Sequence, residues 1–359
     1  MSRITFPFGP QHPVLPEGIQ LSLTCEDEKV VEVRPVIGYM HRGIEKAAER
    51  NPYPNNVFLC ERICGICSFI HALSYCQLVE ELMKVEVPPR ARYLRVVWSE
   101  LSRMHSHLLW LGLLADSFGF ESLFMQCWRA RETVLDILEM TTGQRVIQSS
   151  CIVGGVRRDI NADQARQVRE MLNKVKTEID AVLPVFQKDY TIKARTVGKG
   201  VLPKGQAWTL GAVGPMLRAS GWAWDCRSLG YAAYGELGFE PVVENGGDSY
   251  ARTMVRAREL VQSYELVLRA LDSMPEGELA VKVKGAPPAG EAIMRTEQPR
   301  GELFEYARGN GTQQLERLKI RTPTFANLPA LLAMLPGCEI ADVPVIVLSI
   351  DPCIACTER

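Results

Sequence analysis

The chain has 359 residues, 47% hydrophobic and 23% charged, enough for one large domain or two ordinary ones with a substantial core. Its formal net charge of -1 excludes the strongly basic surface that nucleic-acid binding needs, so no nucleic acid is expected as a partner. The longest strongly apolar stretches, Leu108–Ala115 and Val343–Ile350, fall far short of the roughly 20 residues that span a bilayer.

At the N-terminus, Met1–Pro7 shows no charged leader followed by an apolar run. No secretory signal is read, and a soluble chain is expected on the cytoplasmic side, able to dock peripherally on a membrane-embedded partner. Ile19–Cys25 and Val30–Pro35 read as two short strands around Glu26–Lys29 and predict a hairpin. After a polar, proline-containing loop at 51–56, a helix is predicted over Cys67–Val85, ending before Pro88 and Pro89. Apolar residues at helical spacing predict a buried helix over Arg90–Phe118 and another over Phe124–Thr142. Asn161–Phe186 is charged and amphipathic, with Val168, Leu172, Val175, Ile179 and Val182 on one face, and Asp248–Met274 repeats the style. Lys193–Gly221 is rich in glycine and reads as loops or short strands. Glu276–Gly311 reads as strands and turns around a site, Thr322–Leu335 as a short helix, and Val343–Ile350 as a buried strand. The expected fold class is α+β, mainly α. A helical bundle (61–275) lies between an N-terminal α/β portion (1–60) and a C-terminal one (276–359), whose ends must meet.

Eleven cysteines in a long chain without a visible leader point to metal or redox chemistry before disulfides, and the odd count forbids complete internal pairing. Two pairs stand out, Cys64-Gly65-Ile66-Cys67 and Cys353-Ile354-Ala355-Cys356. Two intervening residues let both thiolates of a pair turn toward one ion. Four sulfur ligands suit zinc, copper(I), iron or nickel, and spacing alone does not choose among them. A structural zinc site is the plain alternative, but such pairs usually lie close in sequence and clamp a small fold. Here they stand far apart in a chain that needs no staple. Charged and polar neighbours (Glu61, Arg62 and His71 near one pair, Asp351, Glu358 and Arg359 near the other) suit a reactive centre better than an inert clamp.

Arg62-Ile63-Cys64-Gly65-Ile66-Cys67 with His71, together with Asp351-Pro352-Cys353-Ile354-Ala355-Cys356, resembles the paired motifs of nickel–iron hydrogenase large subunits. His41-Arg42-Gly43-Ile44-Glu45 and Pro299-Arg300-Gly301 extend the likeness into the N-terminal region and the middle of the chain. Phe8-Gly9-Pro10-Gln11-His12-Pro13 and Met104-His105-Ser106-His107 look like the energy-converting, membrane-associated branch. That branch is close to the quinone-site subunit of respiratory complex I, which shares the fold but lacks the cysteines.

The resemblance implies a nickel–iron centre whose iron carries carbon monoxide and cyanide. Cys64 and Cys353 would be terminal nickel ligands, and Cys67 and Cys356 bridges to iron. H2 and protons would be the substrates, with Cys353 a first proton acceptor, Glu17 a gating proton relay, and Arg300 with its acidic partner Asp351 poised over the metals. His71 would hydrogen-bond a bridging sulfur, and Pro299 would sit beside the centre. One departure is Ser106, which stands where a better-known branch has a second acid. Another is Arg359, which stands where that branch has a histidine that helps Glu45 bind magnesium. A Glu45–Arg359 ion pair is the expectation in its place, and the magnesium site is left open. The seven other cysteines fit no ligand motif and read as small core residues, so no iron–sulfur cluster is expected in this chain. Electrons would pass to an iron–sulfur small subunit, and ion-translocating membrane subunits would complete the complex. A complex I-type scaffold without nickel is the competing reading.

Overall fold

Alternating burial along Gln20–Glu26 and the turn at Asp27 form the hairpin the sequence predicts, and a further strand extends it into a sheet. In the computed structural model, which describes residues 3–359, β1 (Arg3–Phe8), β2 (Gln20–Glu26) and β3 (Lys29–Val36) pair antiparallel in that order. Two short helices, α1 (Ile44–Arg50) and α2 (Asn56–Glu61), then lead to the first cysteine pair.

The bundle consists of α3 (Ser68–Met83), α4 (Pro89–Asp116), α5 (Glu121–Thr142) and α6 (Ala162–Lys188), with α10 (Ser249–Ser273) further along the chain. Local chemistry sets their ends. Pro89 opens α4 where its missing N–H costs nothing, Gly143 ends α5 in the left-handed conformation, and Asn161 with Gln164 forms a capping box on α6. The helix α4 is buried on nearly all sides and packs against both α5 and α10. It is therefore the axis of the bundle. Its buried charges are paired: Arg95 bonds both carboxylate oxygens of Glu80 on α3 at 2.8 and 2.6 Å.

A two-strand ribbon, β4 (Cys151–Ile152) and β5 (Gly155–Val156), precedes α6. The glycine-rich stretch after α6 differs from the expected loops or strands. It holds three short helices, α7 (Tyr190–Thr196), α8 (Lys204–Thr209) and α9 (Pro215–Ala219). Most of its glycines (Gly198, Gly200, Gly211, Gly214) stand between these helices, so they punctuate them without breaking them.

Strands β6 (Gly290–Gln298), β7 (Gly301–Gly309) and β8 (Leu315–Arg321) form a second antiparallel sheet that packs on α3. The chain ends in α11 (Pro323–Met334), α12 (Val343–Ser349) and α13 (Ile354–Glu358). Val343–Ile350 was expected as a strand and is the helix α12. An eight-residue apolar run carries no period that separates the two, and Pro344 in the first turn favours a helix start.

Two cores result. The larger joins the bundle to β6–β8, and the smaller joins β1–β3 to α8, α9, α11 and α12. The last motif straddles them: Ile354 packs in the smaller core, while Cys353, Ala355 and Cys356 belong to the larger. Among the described residues, no helix is long and apolar enough to cross a membrane.

Candidate metal centre

The N-terminal end of α3 and the segment entering α13 bring the two cysteine pairs face to face. Cys64 Sγ lies 3.4 Å from Cys353 Sγ, and Cys67 Sγ lies 3.7 Å from Cys356 Sγ. Sulfurs bound to one ion at ~2.3 Å stand about 3.8 Å apart at the edges of a tetrahedron, and these two separations are of that size. All four residues are buried, and the sulfurs of Cys64, Cys67 and Cys356 lie within 4.8 Å of one another. The thiols do not titrate alike. Hydrogen bonds from Cys353, Cys356 and Cys67 hold Cys64 well below its ordinary value, while burial and then its three sulfur neighbours push Cys356 well up. Without a cation the pocket shares charge unevenly, with Cys64 the most readily ionised. A divalent ion would let the others ionise as well.

Backbone N–H groups also point at the sulfurs: Ile66 N donates to Cys64 at 3.2 Å and Cys356 N to Cys353 at 3.4 Å. Above them stands Arg300. Its Nη2 lies 2.8 Å from Asp351 Oδ1, its Nε donates to the Asp351 carbonyl at 2.9 Å, and its Nη1 reaches Ser106 Oγ at 3.4 Å. Burial opposes the guanidinium charge, but Asp351 and then the cysteine sulfurs more than offset it, so Arg300 stays protonated. Arg300 and Pro299 form the tight turn between β6 and β7. That turn reaches the centre because Gly301 (φ 131) packs backbone to backbone on Gly214, where a Cβ on Gly301 would lie 2.8 Å from Gly214 N. Asp351 itself takes a left-handed φ of 57 just before a proline, a strained conformation for a residue with a side chain. Its Oδ2 is buried without a partner among the described residues.

His71 lies on α3 with Nε2 3.4 Å from Cys356 Sγ, and burial lowers its pKa to about 4. The neutral ring can therefore donate its Nε2–H to the sulfur. Glu17 reaches the second pair from the N-terminal loop, where its Oε2 accepts from Ala355 N at 2.7 Å. His105 bonds the Ile66 carbonyl at 2.6 Å and so braces the first pair through its backbone. His107 instead bonds Glu259 at 3.0 Å, away from the sulfurs. Glu45 Oε1 lies 3.3 Å from Arg359 Nε, and Lys319 and the Ile320 N–H occupy the carboxylate further. Arg359 and Lys319 together thus neutralise the Glu45 carboxylate, the ion pair that the sequence leads one to expect.

Two residues of the site carry roles the motif reading did not assign. Arg42 donates to the carbonyls of Arg62 (2.8 Å), Ile63 (2.7 Å) and Ala355 (3.2 Å), so one guanidinium ties the first pair to the second. Arg256 on α10 stacks its guanidinium 4.4 Å from the Trp110 ring centroid and feels the Asp351 charge. Burial lowers its pKa to about 10, with Asp351 opposing the fall. Its signal was a buried polar stripe, Arg252, Arg256, Glu259 and Ser263, at helical spacing on α10.

Known proteins match this chain from end to end. The family described as respiratory-chain NADH dehydrogenase, 49 Kd subunit, matches residues 117–285 and 281–359, and the nickel-dependent hydrogenase family matches residues 42–115. The carbon monoxide-induced hydrogenase of Rhodospirillum rubrum is 41% identical over 100% of both chains. The membrane-bound hydrogenase subunit alpha of Pyrococcus furiosus is 42% identical over 99% of this chain and 87% of its own. Among solved structures, a chain of the membrane-bound sulfane sulfur reductase, an archaeal respiratory membrane complex, superposes with a TM-score of 0.95. It shares 34% identity and covers 99% of this chain and 98% of its own. With four converging thiols beneath an arginine–aspartate pair, the chain belongs to the family that joins nickel-dependent hydrogenase large subunits to the complex I 49 Kd subunit, in its energy-converting, membrane-associated hydrogenase branch.

Proposed function

We propose that the chain is the catalytic large subunit of a nickel–iron hydrogenase that interconverts H2 with protons and electrons. The observation that carries this reading is the meeting of all four cysteine sulfurs in one buried pocket, with Cys64–Cys353 at 3.4 Å and Cys67–Cys356 at 3.7 Å. Cys64 and Cys353 would hold nickel alone, and Cys67 and Cys356 would also reach iron. Such a centre, with carbon monoxide and cyanide on its iron, supplies electron exchange and polarises H2.

The protein's own groups set the conditions. Burial of the sulfurs excludes water and strengthens every charge in the pocket. Arg300, locked by Asp351, places a fixed positive charge over the sulfurs and needs no rearrangement during reaction. Cys353 can take a proton at its sulfur. Glu17, half-buried and anchored on Ala355 N, stands within the same motif to carry that proton outward. His71 orients Cys356 and spreads its charge.

The remaining cysteines form no second metal-binding group among the described residues, so electrons would leave through an iron–sulfur small subunit. Membrane subunits that move ions would complete a complex in which this chain sits peripherally on the cytoplasmic face. Relatives named as subunits of membrane complexes support that arrangement.

The test is elemental and infrared analysis of the purified complex together with H2–D2O exchange. Nickel and iron in equal amounts, carbon monoxide and cyanide bands, and exchange activity are expected. Cys353→Ser should abolish nickel binding and cut exchange by more than the roughly 100-fold typical of lost supporting contacts. Zinc alone would sink the proposal. A metal-free, folded chain would favour the complex I-type scaffold.

A further inference from the structure

The core face of the β6–β7 hairpin is apolar except along one strip. Glu305 pairs with Met294 across the ladder, so Met294, Thr296 and Gln298 share its face, which packs on α3. Glu305, Thr296 and Gln298 are all fully buried. Both carboxylate oxygens of Glu305, Thr296 Oγ1, and both amide atoms of Gln298 lack an aligned partner among the described residues. Ser74 Oγ on α3 is in the same condition and acts on Glu305 from across the interface. Side chains do not leave so many polar atoms stranded by chance, and water threaded along the strip would satisfy them. The strip has a direction: Gln298 immediately precedes the Pro299–Arg300 turn, so it ends at the roof of the metal centre.

We propose that Glu305 is a proton-holding station on an internal, water-lined strip that leads along β6 to the Arg300 turn. This rests on the hydrogenase reading and adds a second proton route to the one through Glu17. The groups facing Glu305 fit the role. Cys60 on α2 and Tyr75 on α3 are both held neutral by burial, its ladder neighbours Met294 and Ile320 are apolar, and no cation among the described residues acts on it. Burial pushes its carboxyl up to about 8, with only Ser74 pulling the other way. At neutral pH the resting group therefore carries its proton. Donation breaks one O–H bond and leaves a carboxylate, and a replacement proton re-forms that bond through the same strip. No electron moves in either step. The hydroxyls of Thr296 and Ser74 can each accept one proton while passing on another.

The intact complex tests this by infrared spectroscopy from pH 6 to 10, with Glu305→Gln beside the wild type. A protonated-carboxyl band that shifts in D2O and fades as pH rises through about 8 is expected in the wild type and absent from the variant. Nickel content should be unchanged, while H2–D2O exchange falls roughly tenfold and the alkaline limb of its pH profile moves. A band that survives in Glu305→Gln overturns the proposal. So does loss of the band with exchange and its pH profile unaltered, because Glu305 would then be a structural acid. Should the variant not assemble, Ser74→Ala must shift the band by removing its neighbour, and an unmoved band counts against the station. A wild type without nickel or exchange removes the hydrogenase reading, and the station's role with it, even if the band titrates.

Discussion

Two buried regions beside α4 treat charge in opposite ways. In the cysteine pocket the sulfur neighbours hold Cys64 down while burial pushes Cys356 up, and Asp351 Oδ2 and His71 Nδ1 lack partners among the described residues. Between α4, α10 and β6, by contrast, lies a cluster of Glu100, Arg103, Arg218, Asp225, Arg227, Glu259 and Glu297, every one at most 1% exposed. There Arg218 bonds Glu259 at 2.7 Å and Glu297 at 2.8 Å, Arg227 bonds Asp225 at 2.8 Å, and Tyr234 and Ser263 both donate to Glu100. Three arginines face four acids, and the extra acid solves the mismatch: burial and then Asp225 push Glu297 up to about 7. The cluster all but completes itself, Arg103 Nη1 being its one buried side-chain atom without a partner among the described residues. The pocket does not, and equal burial therefore means structure in one place and a binding site in the other.

The strongest way to break this comparison is Arg218→Met. It leaves Glu259 and Asp225 buried with too little positive charge, and should cost about 3–5 kcal/mol in denaturant unfolding of the complex. A loss below ~1 kcal/mol would mean that the cluster is not self-contained. Arg300→Lys sharpens the other side. A lysine keeps the charge but cannot hold both the Asp351 carbonyl and its carboxylate, so exchange activity should fall about 10–100-fold with nickel retained. Equal loss of nickel would turn Arg300 from a reactive-site charge into a structural tie.

Glu305 tests the middle case, an acid with neither cation nor metal. Its folded value of about 8 lies above the ordinary 4.5, so the folded state holds an extra proton between those values. Stability must then fall as pH rises through that window and flatten above it. Relative to the wild type, Glu305→Gln should gain about 1–2 kcal/mol between pH 6 and 8, read from thermal unfolding at each pH. A constant difference across that range would mean that Glu305 is ionised throughout.

Much of this was legible in the sequence because its signals are local. The Cys-x-x-Cys spacing, the long amphipathic runs and the β2–β3 hairpin each declare themselves within a few residues. Glu305 and Arg256 did not, since one acid in a strand and one arginine in a helix look like surface residues until the opposing element arrives. Val343–Ile350 shows the same limit from the other side. Its apolar run fixed burial correctly, and only the first-turn proline hinted that it was a helix. Arg42 was noticed in a motif, yet its role needs the carbonyls of residues on both sides of the pocket, which no local pattern contains.

The seam beneath the second cysteine pair has a mechanical consequence. Ile354 belongs to the smaller core, whereas the sulfurs on either side of it meet partners 289 residues away in the larger one. A small parting of the two cores would pull on Ile354 and so shift the second pair against the first while leaving each core folded, much as a book opens along its spine. Glu17, from the loop before β2, reaches across that spine to Ala355 N, and Arg42 ties the two cysteine pairs together within the larger core, so both act as clasps on the ligand set.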